Sequence, residues 1–356
     1  MLTSITSVNY QVCFNEVAYQ NLNNHLKSSN YSKVFLLVDE KTHELCLPHF
    51  MSKIEGDYEF EIIEIAEGEV FKTIETCTGV WNALSELGAD RKSVMINIGG
   101  GVVTDLGGFV AATFMRGINF INVPTTLLAM VDASVGGKTG VDLGTLKNQV
   151  GVFSTPQLVM IDVAFLKTLP AEQMRSGLAE MLKHGLIADA NYWDQLKNLE
   201  SLGMDSLGAL IHQSVIIKND VVTQDLKESN LRKKLNFGHT LGHAIESYLL
   251  ANDSRETLLH GEAIAIGMIL AAYLSTQTDV LSFKECEEIK QVMAKYYKKV
   301  SFTENDIANI IELMKFDKKN ARGNINFVLL KEIGNVSIDV KINNELIFSA
   351  FEYYKK

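Results

Sequence analysis

The chain has 356 residues, 47% of them apolar and 21% charged, with a formal net charge of −10. That length exceeds one typical compact domain, and the composition excludes long disordered stretches. The acidity argues against a general nucleic-acid binder, which needs broad basic surface to displace counterions, but a cationic pocket for a small anion stays compatible with it.

From the N-terminus, Met1 to Thr6 has neither the basic start nor the apolar stretch of a signal peptide. No apolar run reaches the ~20 residues of a membrane span. Cys13, Cys46, Cys77 and Cys286 are scattered without metal-like spacing, as expected of reduced thiols in a cytoplasmic protein. Val34–Val38, ending at Asp39, reads as a buried parallel strand, and Phe60–Ile65 as another. Thr73–Leu87 has helical spacing closed by Gly88. Val94–Ile98 runs straight into Gly99-Gly100-Gly101, and Phe120–Val123 and Leu158–Ile161 are further strands. Strand–helix alternation of this kind predicts a parallel sheet covered by helices.

After Leu169-Pro170 the pattern changes to 3–4 spacing through five or six helices as far as Phe316. Ile325–Leu330 and Val336–Val340 read as a short hairpin, and Glu345–Tyr353 as a last helix. The expected organisation is an α/β, Rossmann-like nucleotide-binding domain over residues 1–170 and a mainly α-helical domain over 171–356, with the cleft between them as the default site.

Three features carry chemistry. Gly99, Gly100 and Gly101, followed by Asp105 and Gly107-Gly108, let backbone amides approach an anion at a helix start. The run matches neither G-x-G-x-x-G nor a Walker A sequence, and a purely structural turn fits it equally. Asp39 can hold ribose hydroxyls at a strand end or serve as a turn residue. Second, His239 and His243 stand at i and i+4 on one helix face, and His260-Gly261-Glu262 opens the next helical pattern seventeen residues on. Glu180 lies in an apolar helix with Lys183 and His184. These types make a His2Glu set for zinc, without the H-E-x-x-H of a metalloprotease. Spacing alone also permits ordinary helix histidines and an i,i+3 Glu180–Lys183 pair. Third, Arg116, Lys138, Lys147 with Asn148, Lys218 and Arg232 with Asn236 fall in short Gly- and Asn-rich segments; any one of them also fits an ordinary surface cation, but the set suits capture of a polyanionic small molecule.

These segments together resemble the 3-dehydroquinate synthase family of sugar phosphate cyclases through most of the chain. The resemblance rests on Gly99–Asp105, Met115-Arg116-Gly117, Pro124–Ala129, Asp132–Thr139, Lys147-Asn148, Leu235–His243 and His260-Gly261-Glu262, in that order. It implies that Glu180, His239 and His260 ligate a zinc or cobalt ion. It implies that Asp39, Glu69, Lys72, the turn Gly99–Gly101, Asp105, Thr125, Thr126 and Asp132 line an NAD site. Lys138, Asn148, Asn236 and His243 would hold the substrate phosphate, with one of Lys318 and Lys319, and Arg116 would reach in from a partner in a homodimer. Lys218 and Arg232 would pair with a substrate carboxylate, and Lys183 and Lys147 with hydroxyls and the cofactor region. The segment between His243 and His260 is a few residues longer than the family pattern.

The implied substrate is a sugar-acid phosphate, 3-deoxy-D-arabino-heptulosonate 7-phosphate. A cyclase of neutral sugar phosphates has no carboxylate for Lys218 and Arg232. A glycerol-dehydrogenase-like enzyme has no phosphate for Gly136-Gly137-Lys138 and Lys147-Asn148. A non-catalytic metabolite-binding protein would be expected to have lost a ligand or cation, and none is missing.

Overall fold

The computed structural model describes residues 2–144, 146–198, 204–252, 254–278, 281–314 and 325–356; Lys318 and Lys319 lie outside the described residues. The chain forms two compact units, Met1–Met174 with Gly203–Leu226, and Arg175–Leu202 with Lys227–Lys356. Among the described residues no helix is long and apolar enough to cross a membrane.

The first unit is built on strands β1 (Ile5–Thr6), β2 (Gln11–Phe14), β3 (Val34–Asp39), β4 (Phe60–Ile65), β5 (Val94–Gly99) and β6 (Asn119–Pro124), then β7 (Lys138–Leu143), β8 (Leu146–Phe153) and β9 (Leu158–Ile161). Seven of them make one sheet in the order β1-β2-β9-β6-β5-β3-β4. All its pairings are parallel except β1 with β2. The apolar runs of β3, β5 and β9 are buried along almost their whole length, as strands covered on both faces must be. From β3 the chain steps out to β4 and returns to the other side of β3 for β5. The strand order therefore reverses between β3 and β5, and Asp39 and Gly99 end those two neighbouring strands.

The ribbon β7–β8 is antiparallel and separate from the sheet. Its β-branched residues, Thr139 and Val141 on one strand and Val150 and Val152 on the other, are interrupted by glycine where the two strands touch. Gly140 pairs with Gly151, and a Cβ on either would stand 2.5 Å from the Val150 carbonyl oxygen or 2.4 Å from that of Thr139. The helix Met204–Gln224 belongs to this first unit.

The second unit is mainly helical among the described residues, with a hairpin of β10 (Asn326–Glu332) and β11 (Asn335–Lys341). Its central helix, His260–Thr278, is apolar and buried almost all round. The connection from helix His239–Leu250 to this helix is tied down by Asp306. One Asp306 oxygen accepts from Arg255 Nη1 at 2.8 Å and from the Thr303 amide at 2.8 Å, the other from the Tyr248 hydroxyl at 2.5 Å.

Burial alone would raise the Asp306 carboxyl, but the Tyr248, Thr303 and Arg255 donors outweigh it and bring its pKa down to about 2. A depressed carboxyl stabilises the fold above its unfolded value and loses that contribution as pH falls through the folded one. Acidification from 3.8 to about 2 should therefore remove roughly 1–2 kcal/mol from the parent chain that Asp306→Asn, already without it, does not lose. Urea unfolding across that window reads the difference, and parallel losses in both chains would refute it.

Candidate active site

In the second unit, glycine lets helix backbones approach closely enough to bring distant side chains together. Gly261 packs on the helix Ala171–Ala188, where a Cβ would stand 2.1 Å from the Ser176 carbonyl oxygen. The Gly261 amide donates to Ser176 Oγ at 3.0 Å. Ser176 is one turn before Glu180, and Gly261 follows His260, so this contact sets Glu180 against His260. At the next crossing a Cβ on Gly267 would stand 2.1 Å from the Gly238 carbonyl oxygen. Gly238 itself has φ +77° and starts the helix His239–Leu250, a conformation that excludes most L residues.

The result is a convergent set. Glu180 Oε1 lies 3.4 Å from His239 Nε2 and 3.7 Å from His260 Nε2. The ring nitrogens of His239, His243 and His260 lie within 4.8 Å of one another. The outer nitrogens of His239 and His260 are held, His239 Nδ1 by the Phe237 carbonyl at 3.1 Å and His260 Nδ1 by Glu246 Oε2 at 3.1 Å. The two Glu180 oxygens have different neighbours. Oε2 accepts from the Lys183 ammonium, whereas Oε1 is buried and has no hydrogen-bond partner among the described residues. Burial would raise the Glu180 carboxyl, but Lys183 and then the two imidazoles hold it well below the usual carboxylate range. Burial likewise works against a charged His260, yet Glu246 and Glu180 push its pKa up to about 10. An orphaned carboxylate oxygen facing two imidazole nitrogens fits a divalent cation with His2Glu ligation.

Arg232 is buried in this unit, and Asn236 Nδ2 donates to Glu228 Oε1 at 2.5 Å.

In the first unit, Asp39 and the glycine turn sit at the carboxyl ends of β3 and β5, at the reversal of strand order where doubly wound sheets bind ligands. One Asp39 oxygen caps the helix Glu40–Leu45, accepting from the Thr42 amide at 2.8 Å. Gly100 precedes the helix Gly101–Thr113, whose first-turn amides have no intrahelical acceptor. The Thr125 amide donates to the Gly99 carbonyl, and a Cβ on Gly100 would come within 3.0 Å of the Thr126 methyl.

Beside the turn, Lys72 Nζ donates to Asp105 Oδ2 at 2.6 Å and Asn148 Oδ1 at 2.8 Å. Lys147 bridges Glu69 at 2.9 Å and Asp142 at 3.4 Å. Burial works against the Lys72 charge, but Asp105 and Glu69 outweigh it and raise its pKa. The ribbon thus carries Lys147 and Asn148 to residues read as cofactor contacts. Lys138, its first residue, is exposed. Asp132 lies in a π-helical turn, Ala129–Ala133, and its Oδ1 accepts from Lys218 Nζ at 2.6 Å. Arg116 is exposed beside Met115, with φ +70° and +49°.

Family models for the 3-dehydroquinate synthase N-terminal and C-terminal regions match residues 62–176 and 177–320. A 3-dehydroquinate synthase from Parabacteroides distasonis is 41% identical over 337 residues, covering 94% of this chain and 95% of the relative. The chain belongs to the 3-dehydroquinate synthase family.

Its fold extends to related cyclases. A 2-epi-5-epi-valiolone synthase from Streptomyces hygroscopicus, solved with NAD+ and Zn2+, superposes with TM-score 0.85 at 26% identity over 100% of this chain and 99% of that one. A 2-deoxy-scyllo-inosose synthase solved with carbaglucose-6-phosphate, NAD+ and Co2+ has TM-score 0.85 at 24% identity, covering 99% of both chains. The expected α/β sheet followed by a helical region is the architecture that this 3-dehydroquinate synthase family member adopts.

The sequence reading did not single out three residues at these sites. Glu246 lies three residues after His243 and seven after His239, so the helix face that shows two histidines also shows this carboxylate. Ser176 is four before Glu180 on its helix. Asp142 gave no such signal, because only the ribbon brings it to Lys147.

Proposed function

We infer that the chain converts 3-deoxy-D-arabino-heptulosonate 7-phosphate to 3-dehydroquinate and inorganic phosphate, using NAD and one divalent zinc or cobalt ion. The observation that carries the metal-dependent step is the convergence of Glu180 Oε1 with the Nε2 atoms of His239 and His260. Family membership supplies the reaction.

Glu180, His239 and His260 are the proposed ligands. Asp39, the glycine turn, Thr125, Thr126, Asp132 and the Glu69–Lys72–Asp105–Lys147 group are the proposed NAD contacts. When bound, the ion acidifies the substrate's C5 alcohol while NAD takes up its hydride and later returns it. With a ketone at C5, the C6 proton becomes acidic and phosphate leaves by β-elimination. Ring opening and intramolecular aldol closure then give the carbocycle. The substrate's own phosphate is the proposed base. Lys138, Asn148, Asn236, His243 and one of Lys318 and Lys319 would hold it near the C6 proton.

Lys218 and Arg232, both buried, are proposed to face the substrate carboxylate. Lys183 is proposed to reach a substrate hydroxyl, and Arg116 to act across a homodimer in the cytoplasm.

Purified chain with NAD+ and Zn2+ should release phosphate from the heptulosonate phosphate without net NADH accumulation. Turnover of a neutral heptulose phosphate, with none of the acid, would overturn the carboxylate assignment.

A further inference from the structure

Glu246 is a buried carboxylate that the reaction above does not use. It shares a helix face with His239 and His243, and its Oε2 lies 3.1 Å from Nδ1 of His260, on the next helix. With Nδ1–H donated there, the ring is fixed and only Nε2 is left for an ion, on the side of Glu180 Oε1, 3.7 Å away. His239 is fixed in the same sense, but by the neutral Phe237 carbonyl. The two imidazoles therefore have unequal outer partners. A carboxylate behind an imidazole makes it a more basic and better oriented donor than a carbonyl does.

We propose that Glu246 is a positioning residue that presents His260 to the divalent ion and sets the affinity of the centre. This rests on Glu180, His239 and His260 being the ligands.

The test uses the metal-free full-length chain, with Zn2+ affinity measured by competition against a chromophoric chelator and the Co2+ absorption spectrum as a second readout. Glu246→Ala should weaken Zn2+ binding about 10–100-fold and alter the Co2+ spectrum. Glu246→Gln, whose amide oxygen can still accept from Nδ1–H, should fall between parent and alanine, and remains informative if the alanine variant does not fold. In a His260→Ala background, Glu246→Ala should cause no further loss, because the side chain it positions is gone.

A folded Glu246→Ala chain that binds Zn2+ within about two-fold of the parent overturns the proposal, as does, where the alanine variant does not fold, a Glu246→Gln chain indistinguishable from the parent in both affinity and Co2+ spectrum. So does an equal further loss in the His260→Ala background, which would mark a general structural effect. A parent chain that binds no Zn2+ overturns the ligand set together with this inference, whereas tight parent binding with unaffected Glu246 variants overturns the inference alone.

Discussion

His239→Ala is expected to lose its divalent ion on dialysis and to slow phosphate release by roughly a thousand-fold, because ion stabilisation of developing negative charge is worth several kcal/mol. The fold should survive. The ring's outer nitrogen bonds to the carbonyl of Phe237, two residues back on the same chain, and Glu180 keeps its Lys183 partner when the imidazole is removed. Metal content by elemental analysis and a thermal melt together make the check. A variant that keeps a full complement of tightly held zinc would remove His239 from the ligand set.

Glu180→Gln is expected to behave differently, although it removes another proposed ligand. Lys183 is only 1% exposed and pairs with Glu180. Neutralising the carboxylate strands a buried ammonium, which typically costs about 3–5 kcal/mol. In Glu180→Gln/Lys183→Met both charges are gone and an apolar chain of similar length fills the space, so most of that stability should return. Urea unfolding of the metal-free chains separates the cases. If the single variant is as stable as the parent, the pair does not hold this part of the helix. The contrast between His239 and Glu180 also separates loss of an ion from loss of the fold, which activity alone cannot do.

The parallel sheet was legible because its strands are buried on both faces and read as unbroken apolar runs; β3, β5 and β9 lie where those runs lie. The ribbon β7–β8 was not, since its pairing depends on Gly140 and Gly151 lying opposite each other, which no periodicity announces. The helix Met204–Gln224 has the same 3–4 spacing as its neighbours, so nothing local marks it as part of the first unit. At the metal-binding candidate, His239 and His243 stood out through their i,i+4 spacing, whereas His260 opens the next helix and no spacing tied it to them. Spacing left open whether Glu180 pairs with Lys183 or faces the histidines. The two carboxylate oxygens do both. That division is a matter of atoms within one side chain, finer than any residue pattern resolves.

The helix crossings at Gly261 and Gly267 bear on how such a centre can be re-engineered. Main chain rests on main chain at both points, so the gaps between the helices that carry the proposed ligands are calibrated by peptide geometry and not by the bulk of neighbouring side chains. Repacking the apolar interior can retune how firmly the unit holds together while leaving the ligand gauge alone. A different ionic radius would have to be accommodated in the reach of the ligands themselves, by shortening a carboxylate or exchanging a ring, because the scaffold behind them has no slack to give.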